Sequence, residues 1–262
     1  MTWIAALPMY NVSERLGQAY EALLVTLAEE AGQAVSLESP SDLPAFWRRR
    51  DLLLSQTCGY PYMTQLRGVV TLVATPCYDF AGCSGSDYSS VIVVREGAEV
   101  DVLADAVGLV AVVNDLNSNS GMNVLRHAVA PLARGGRFFG RVIQSGSHAA
   151  SVRMVRQGAA DVTAVDCVAW GYLAREDSGA VRGLKVLRYS VASPGLPLIA
   201  GGGVKQELVL RLRGALLRPS ARLRESMEVL SISGFEYRDD ADYERILQIQ
   251  SEAEAAAYPA IT

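Results

Sequence analysis

Short apolar runs alternate with helix-period stretches along almost the whole chain, and this alternation constrains the fold more than any other feature. "TWIAALP", "AVSLES", "DLLLSQ" and "VVTLVATP" read as strands. After the first of them Ser13 can cap a helix with Leu16, Tyr20, Leu23, Leu24 and Leu27 on one face and Gly32 as its stop. Strands and helices in such alternation are the pattern of an α/β architecture with largely parallel strands. At "CYDFAGCSGSDYSS" the pattern gives way to a Gly/Ser/Asp-rich passage, and a second series follows. It has strands over 88–95, 108–114, 138–144 and 161–165, and helices over 121–134, 148–157 and 167–175. "LKVLRYSVASPGLPLIAGG" then runs extended, and three helical segments close the reading.

This layout predicts a discontinuous first lobe, residues 1–84 plus 192–262, with a second lobe, 85–191, inserted into it. Extended crossings near Ser84–Tyr88 and Tyr189–Ser193 would join the lobes as a two-crossing hinge, and clefts between domains are favoured ligand sites. A single continuous doubly wound sheet is the alternative.

With 262 residues the chain can build one large or two modest cores. A net charge of -4 provides no basic field for a phosphate backbone, so no nucleic-acid partner is expected. No apolar run reaches the roughly 20 residues of a membrane span. "MTWIAALPMYNVSER" reads as a first strand without a basic leader, which predicts a cytoplasmic protein unless a leader has been trimmed. Four cysteines without a CxxC pair, and only two histidines, predict no metal and no cofactor. Cys58 and Cys83 lie in Gly-rich turns and could pair if oxidised; free thiols are the expectation.

Ligands of open α/β sheets bind beyond the carboxyl ends of strands, where helix N-termini present free amides. Four junctions qualify. In "LPMYN", Tyr10 follows the first strand. In "LSQTCGYPY", Thr57 and the Gly59 amide are donors and Tyr60 offers an aromatic wall. In "VAVVNDLNSNSGMNVLRHAV", Ser118, Asn119 and Ser120 stand before Gly121, which would let a ligand approach the backbone. Hydrogen bonds to a charged group contribute ~1.5–3 kcal/mol each, so three or four could hold an oxyanion without Lys or Arg. In "QSGSHAASVRMVRQGAADVTAVDCVAW", His148 opens one helix and Asp166 the next. Each of these residues also has a structural reading, as a cap, a solvated turn or core packing.

No catalytic motif is present: there is no GxxxxGK[ST], HExxH or GxSxG, and "GGGVKQ" lacks the dinucleotide-binding spacing. The chain is therefore not expected to be an enzyme; a Cys58/His148 nucleophile–base pair is the one candidate.

"LPMYN", "LLLSQTCGYP", "ATPCYDFAGCSGSDYSSVIVV", "VVNDLNSNSGMN", "SGSHAASVRMVRQGAADVTAVDCVAW" and "SPGLPLIAG" together, in this order, resemble the phosphate/phosphite/phosphonate family of ABC-transporter substrate-binding proteins, of the type II periplasmic-binding fold. The resemblance implies a two-lobe Venus flytrap that closes over a small oxyanion and serves an ABC permease, as a periplasmic monomer without membrane insertion. It places the phosphoryl cradle on Ser118, Ser120 and the Gly121 amide, the binding histidine on His148, and a carboxylate for an amino or protonated group on Asp166. First-lobe aromatic contacts fall on Tyr10 and Tyr60, while Asn119 stands where a hydroxyl residue is common in the phosphonate binders. Two alternatives share the fold: a cytoplasmic ligand sensor, and an enzyme of cofactor synthesis using Cys58 and His148.

Overall fold

The computed structural model describes residues 2–262. They form two compact units, each with its own sheet. The first comprises residues up to Asp79, Cys83–Asp87 and Pro194–Tyr243; the second comprises Phe80–Gly82, Tyr88–Ser193 and Glu244–Thr262.

In the first unit six strands lie in the order Ile232–Glu236, Val70–Tyr78, Leu198–Gly201, Leu52–Gln56, Trp3–Ala6, Val35–Leu37. Trp3–Ala6 is parallel to both of its neighbours. Leu198–Gly201 is antiparallel to both of its own, and Ile232–Glu236 is antiparallel to Val70–Tyr78. Leu52–Gln56 is buried on both faces, which explains why it opens with three consecutive leucines rather than an alternating pattern. Helix Glu14–Glu30 starts where Ser13 Oγ accepts the Leu16 amide at 3.3 Å. It buries Leu16, Tyr20, Leu23, Leu24 and Leu27, and each such side chain contributes ~1.5–3 kcal/mol over exposure. The glycine run after Leu198–Gly201 is a packing device. A Cβ at Gly201 would lie 2.3 Å from the Arg49 carbonyl oxygen, and one at Gly203 would lie 2.2 Å from that of Arg50.

In the second unit five strands lie in the order Leu184–Tyr189, Ser90–Arg95, Val162–Asp166, Val110–Val113, Arg141–Gln144. Ser90–Arg95 is antiparallel to both neighbours, and the remaining pairs are parallel. Helix His148–Gln157 is capped by Ser147 and ends at Gly158, whose φ of 79° is the left-handed stop that favours glycine. Helix Cys167–Glu176 follows Val162–Asp166 directly.

Four expectations are corrected. The sheets are mixed rather than largely parallel, because an apolar pattern carries no strand direction. The helix expected over 121–134 is instead a π-type turn, Asn119–Asn123, a short helix Val124–Val129 and a 3-10 turn Ala130–Leu132 at Pro131. Strand Ile232–Glu236, interrupted by Gly234, lies between the last two helices, where only helix was read. Finally, residues 244–262 belong with the second unit and not with the first lobe. Helix Asp240–Ala255 buries Ile246, Ile249 and Ala253 beyond that boundary, and apolar periodicity does not say which core receives such a face. The boundary after Tyr243 is a chain passage additional to those near 87/88 and 193/194.

Candidate functional site

In the second unit, strand Val110–Val113 delivers the chain to a turn opened by Ser118. Ser118 Oγ accepts the Gly121 amide at 3.0 Å and lies 3.4 Å from Ser120 Oγ. Ser120 Oγ is in turn 2.9 Å from Nε2 of His148, the first residue of the next helix. Three of the expected residues thus meet from two elements. Burial pushes the pKa of His148 down to about 4, so at neutral pH the ring is uncharged, with one nitrogen donating and the other accepting. The residue keeps some exposed surface, yet its Nδ1 is buried with no hydrogen-bond partner. An unmet buried polar atom costs roughly 1–3 kcal/mol. Two rotatable hydroxyls and a neutral imidazole can together donate to an anion without a formal positive charge.

Other expected residues do structural work. The Gly121 amide is already satisfied by Ser118, and a Cβ on Gly121 would stand 1.8 Å from Asn114 Oδ1. The glycine therefore makes room for Asn114. Asn119 is fully buried; its Nδ2 donates to Ser193 Oγ at 2.9 Å and Tyr88 Oη at 3.2 Å, and its Oδ1 accepts from Asn123 Nδ2 at 3.0 Å. Its amide group is spent on the frame of the turn. Asp166 is buried, and its Oδ1 accepts the Val168 amide at 2.8 Å and the Ala169 amide at 3.4 Å, as the N-cap of helix Cys167–Glu176. Ser90 faces it in register across the sheet, with a buried Oγ that has no partner.

In the first unit Tyr10 is buried, its ring edge-on to Tyr78 with centroids 5.5 Å apart. Thr57 is fully buried; its amide donates to the Pro197 carbonyl and its Oγ1 donates to the Cys58 carbonyl at 3.2 Å. Tyr60 is half-buried at the start of the short helix Gly59–Pro61, which Cys58 precedes. All four cysteines are free thiols. No helix among the described residues is long and apolar enough to cross a membrane.

Sequence reasoning missed Asn114, Asn123 and Arg126. A signal existed for Arg126, which occupies a core position in the stripe Met122, Leu125, Arg126, Val129.

The fold is shared with known binding proteins. A binding-protein component of an ABC phosphonate transporter from Pseudomonas aeruginosa superposes with a TM-score of 0.82 at 20% identity, over 98% of this chain and 87% of that one. PhnD1 from Prochlorococcus marinus, in complex with methylphosphonate, gives 0.81 at 17% identity, over 97% and 98% of the two chains. A Xanthomonas citri protein bound to ATP gives 0.69 at 16%, over 98% of each. Comparison with individual curated proteins yields no match. At such identities the superpositions establish the type II periplasmic-binding fold. The family's own sequence profile, described as ABC transporter, phosphonate, periplasmic substrate-binding protein, matches residues 4–243. The chain belongs to this family of phosphonate-binding ABC-transporter components.

Proposed function

We propose that the chain captures a small alkylphosphonate through the Ser118 and Ser120 hydroxyls and the neutral His148 ring, and presents it to the permease of an ABC transporter. The observation that carries this reading is the contact chain Ser118–Ser120–His148 ending on an unmet buried Nδ1. Three bonds to a charged group contribute roughly 5–9 kcal/mol before the cost of association, enough to retain a small anion without Lys or Arg. Methylphosphonate, the ligand of the Prochlorococcus protein, is the natural probe. Tyr60, half-buried in the first unit, is a further proposed ligand contact, as are Tyr10 and Thr57. Asp166 is the proposed partner for an amino or protonated group on a larger ligand.

Binding rather than catalysis is favoured because the hydrogen bond made by the imidazole goes to Ser120 and the matching family is one of transporter substrate-binding proteins.

A thermal-shift screen over phosphate, phosphite, sulfate, methylphosphonate and 2-aminoethylphosphonate tests the proposal. A ligand at a hundred times its Kd stabilises the folded state by about 2.7 kcal/mol, a rise of roughly 5–10 °C in a chain of this size. The phosphonates are expected to give the largest rise. A screen in which neither phosphonate moves the transition would overturn the proposal.

A further inference from the structure

Arg126 is 4% exposed and stands among the buried residues Met122, Val124, Leu125 and Val129. A guanidinium in such surroundings ordinarily has a carboxylate beside it. Among the described residues Arg126 forms no ion pair. Instead one terminal nitrogen donates to the Pro259 carbonyl at 2.7 Å, the other donates to Asn123 Oδ1 at 2.8 Å, and Nε has no partner. Asn123 Nδ2 donates both to Asn119 Oδ1 at 3.0 Å and to the Ile246 carbonyl at 3.1 Å. Residues 258–262 are themselves fastened: Tyr258 and Ile261 are buried, and the Thr262 carbonyl oxygen accepts the Phe138 and Phe139 amides, each at 2.9 Å.

These bonds converge on the turn that carries Ser120. Asn119–Asn123 is a π-type turn, with the Val124 amide reaching back to the Asn119 carbonyl, and such turns are rarer than the α-helix they interrupt. Released from its side-chain frame, the segment can relax to α-helical register, which rotates Ser120 relative to its neighbours. We infer that Arg126 is a positioning residue for the Ser118–Ser120–His148 cluster: its guanidinium clamps residues 258–262 to Asn123, and the clamp holds the π-type turn in which Ser120 reaches His148. The consequence for ligand affinity rests on the function proposed above; the consequence for the Ser120–His148 contact does not.

The test is ring-nitrogen NMR of His148 at neutral pH, in a His127→Gln background so that one imidazole is seen, beside methylphosphonate titration. Arg126→Met is expected to abolish the hydrogen-bond signature of the His148 ring and to weaken methylphosphonate binding about tenfold. Arg126→Lys keeps the charge and places three N–H donors on one nitrogen but loses the planar two-nitrogen fork, so it is expected to recover no more than part of the ring signature and of the affinity. Deleting residues 259–262 leaves Arg126 in place, removes the Pro259 acceptor and is expected to act in the same direction; it decides the matter if Arg126→Met does not fold. Wild-type ring signals together with affinity within twofold, in variants whose melting temperature alone falls, would overturn the inference. If the unaltered protein fails to bind methylphosphonate, the function proposed above is at fault, and the ring signals alone decide the role of Arg126.

Discussion

Calorimetric titration of a Ser118→Ala/Ser120→Ala variant with methylphosphonate is expected to show affinity about 30-fold or more below that of the unaltered protein, a loss of about 2 kcal/mol. Both hydroxyls belong to the contact chain that ends on His148, and each is a donor that an oxyanion would use in preference to a neutral neighbour. The two single variants should separate by stability. Ser118 also caps its turn through the Gly121 amide, so Ser118→Ala forfeits a cap of ~0.5–2 kcal/mol and should melt earlier than Ser120→Ala. Unchanged affinity in the double variant would remove the cluster from the binding site.

The second large effect concerns acid. An unfolded histidine takes up its proton near pH 6.5, whereas buried His148 in the folded chain resists it until about 4. Between those values the unfolded state binds more protons, so stability is lost as pH falls through the window and is fully present above it. The contribution of His148 is about 3 kcal/mol across the window. Other groups titrate in the same range, so the informative quantity is a difference. Urea unfolding of the unaltered protein and of His148→Gln, followed from pH 7 to pH 4, should give curves that converge as the pH falls. Parallel curves would mean that the imidazole takes its proton normally.

How much of this was legible in the sequence depended on the kind of signal. Ser13 and Asp166 are readable as caps because a small polar residue ahead of an amphipathic stretch has one cheap use, and both side chains accept helix amides. The meeting of Ser118, Ser120 and His148 came through the order of motifs along the chain, since nothing in the sequence between Ser120 and His148, 28 positions apart, states that the two loops face each other. What stayed hidden depended on side-chain direction. Asn119 and Asn123 look like solvated turn residues in sequence, yet both are fully buried and bonded to their own unit. A glycine likewise gives no hint of which neighbour fills the space it leaves, and at Gly121 that neighbour is Asn114. Destination was equally invisible: the apolar face of Asp240–Ala255 has the same periodicity whichever core it enters.

The account stands on the oxygens of a phosphonate lying against the Ser118–Ser120–His148 cluster. A crystal structure of the protein grown with methylphosphonate tests this most directly. The account predicts phosphonate oxygens about 2.7–3.2 Å from Ser118 Oγ, Ser120 Oγ and a ring nitrogen of His148. An ordered methylphosphonate that touches none of the three would contradict it.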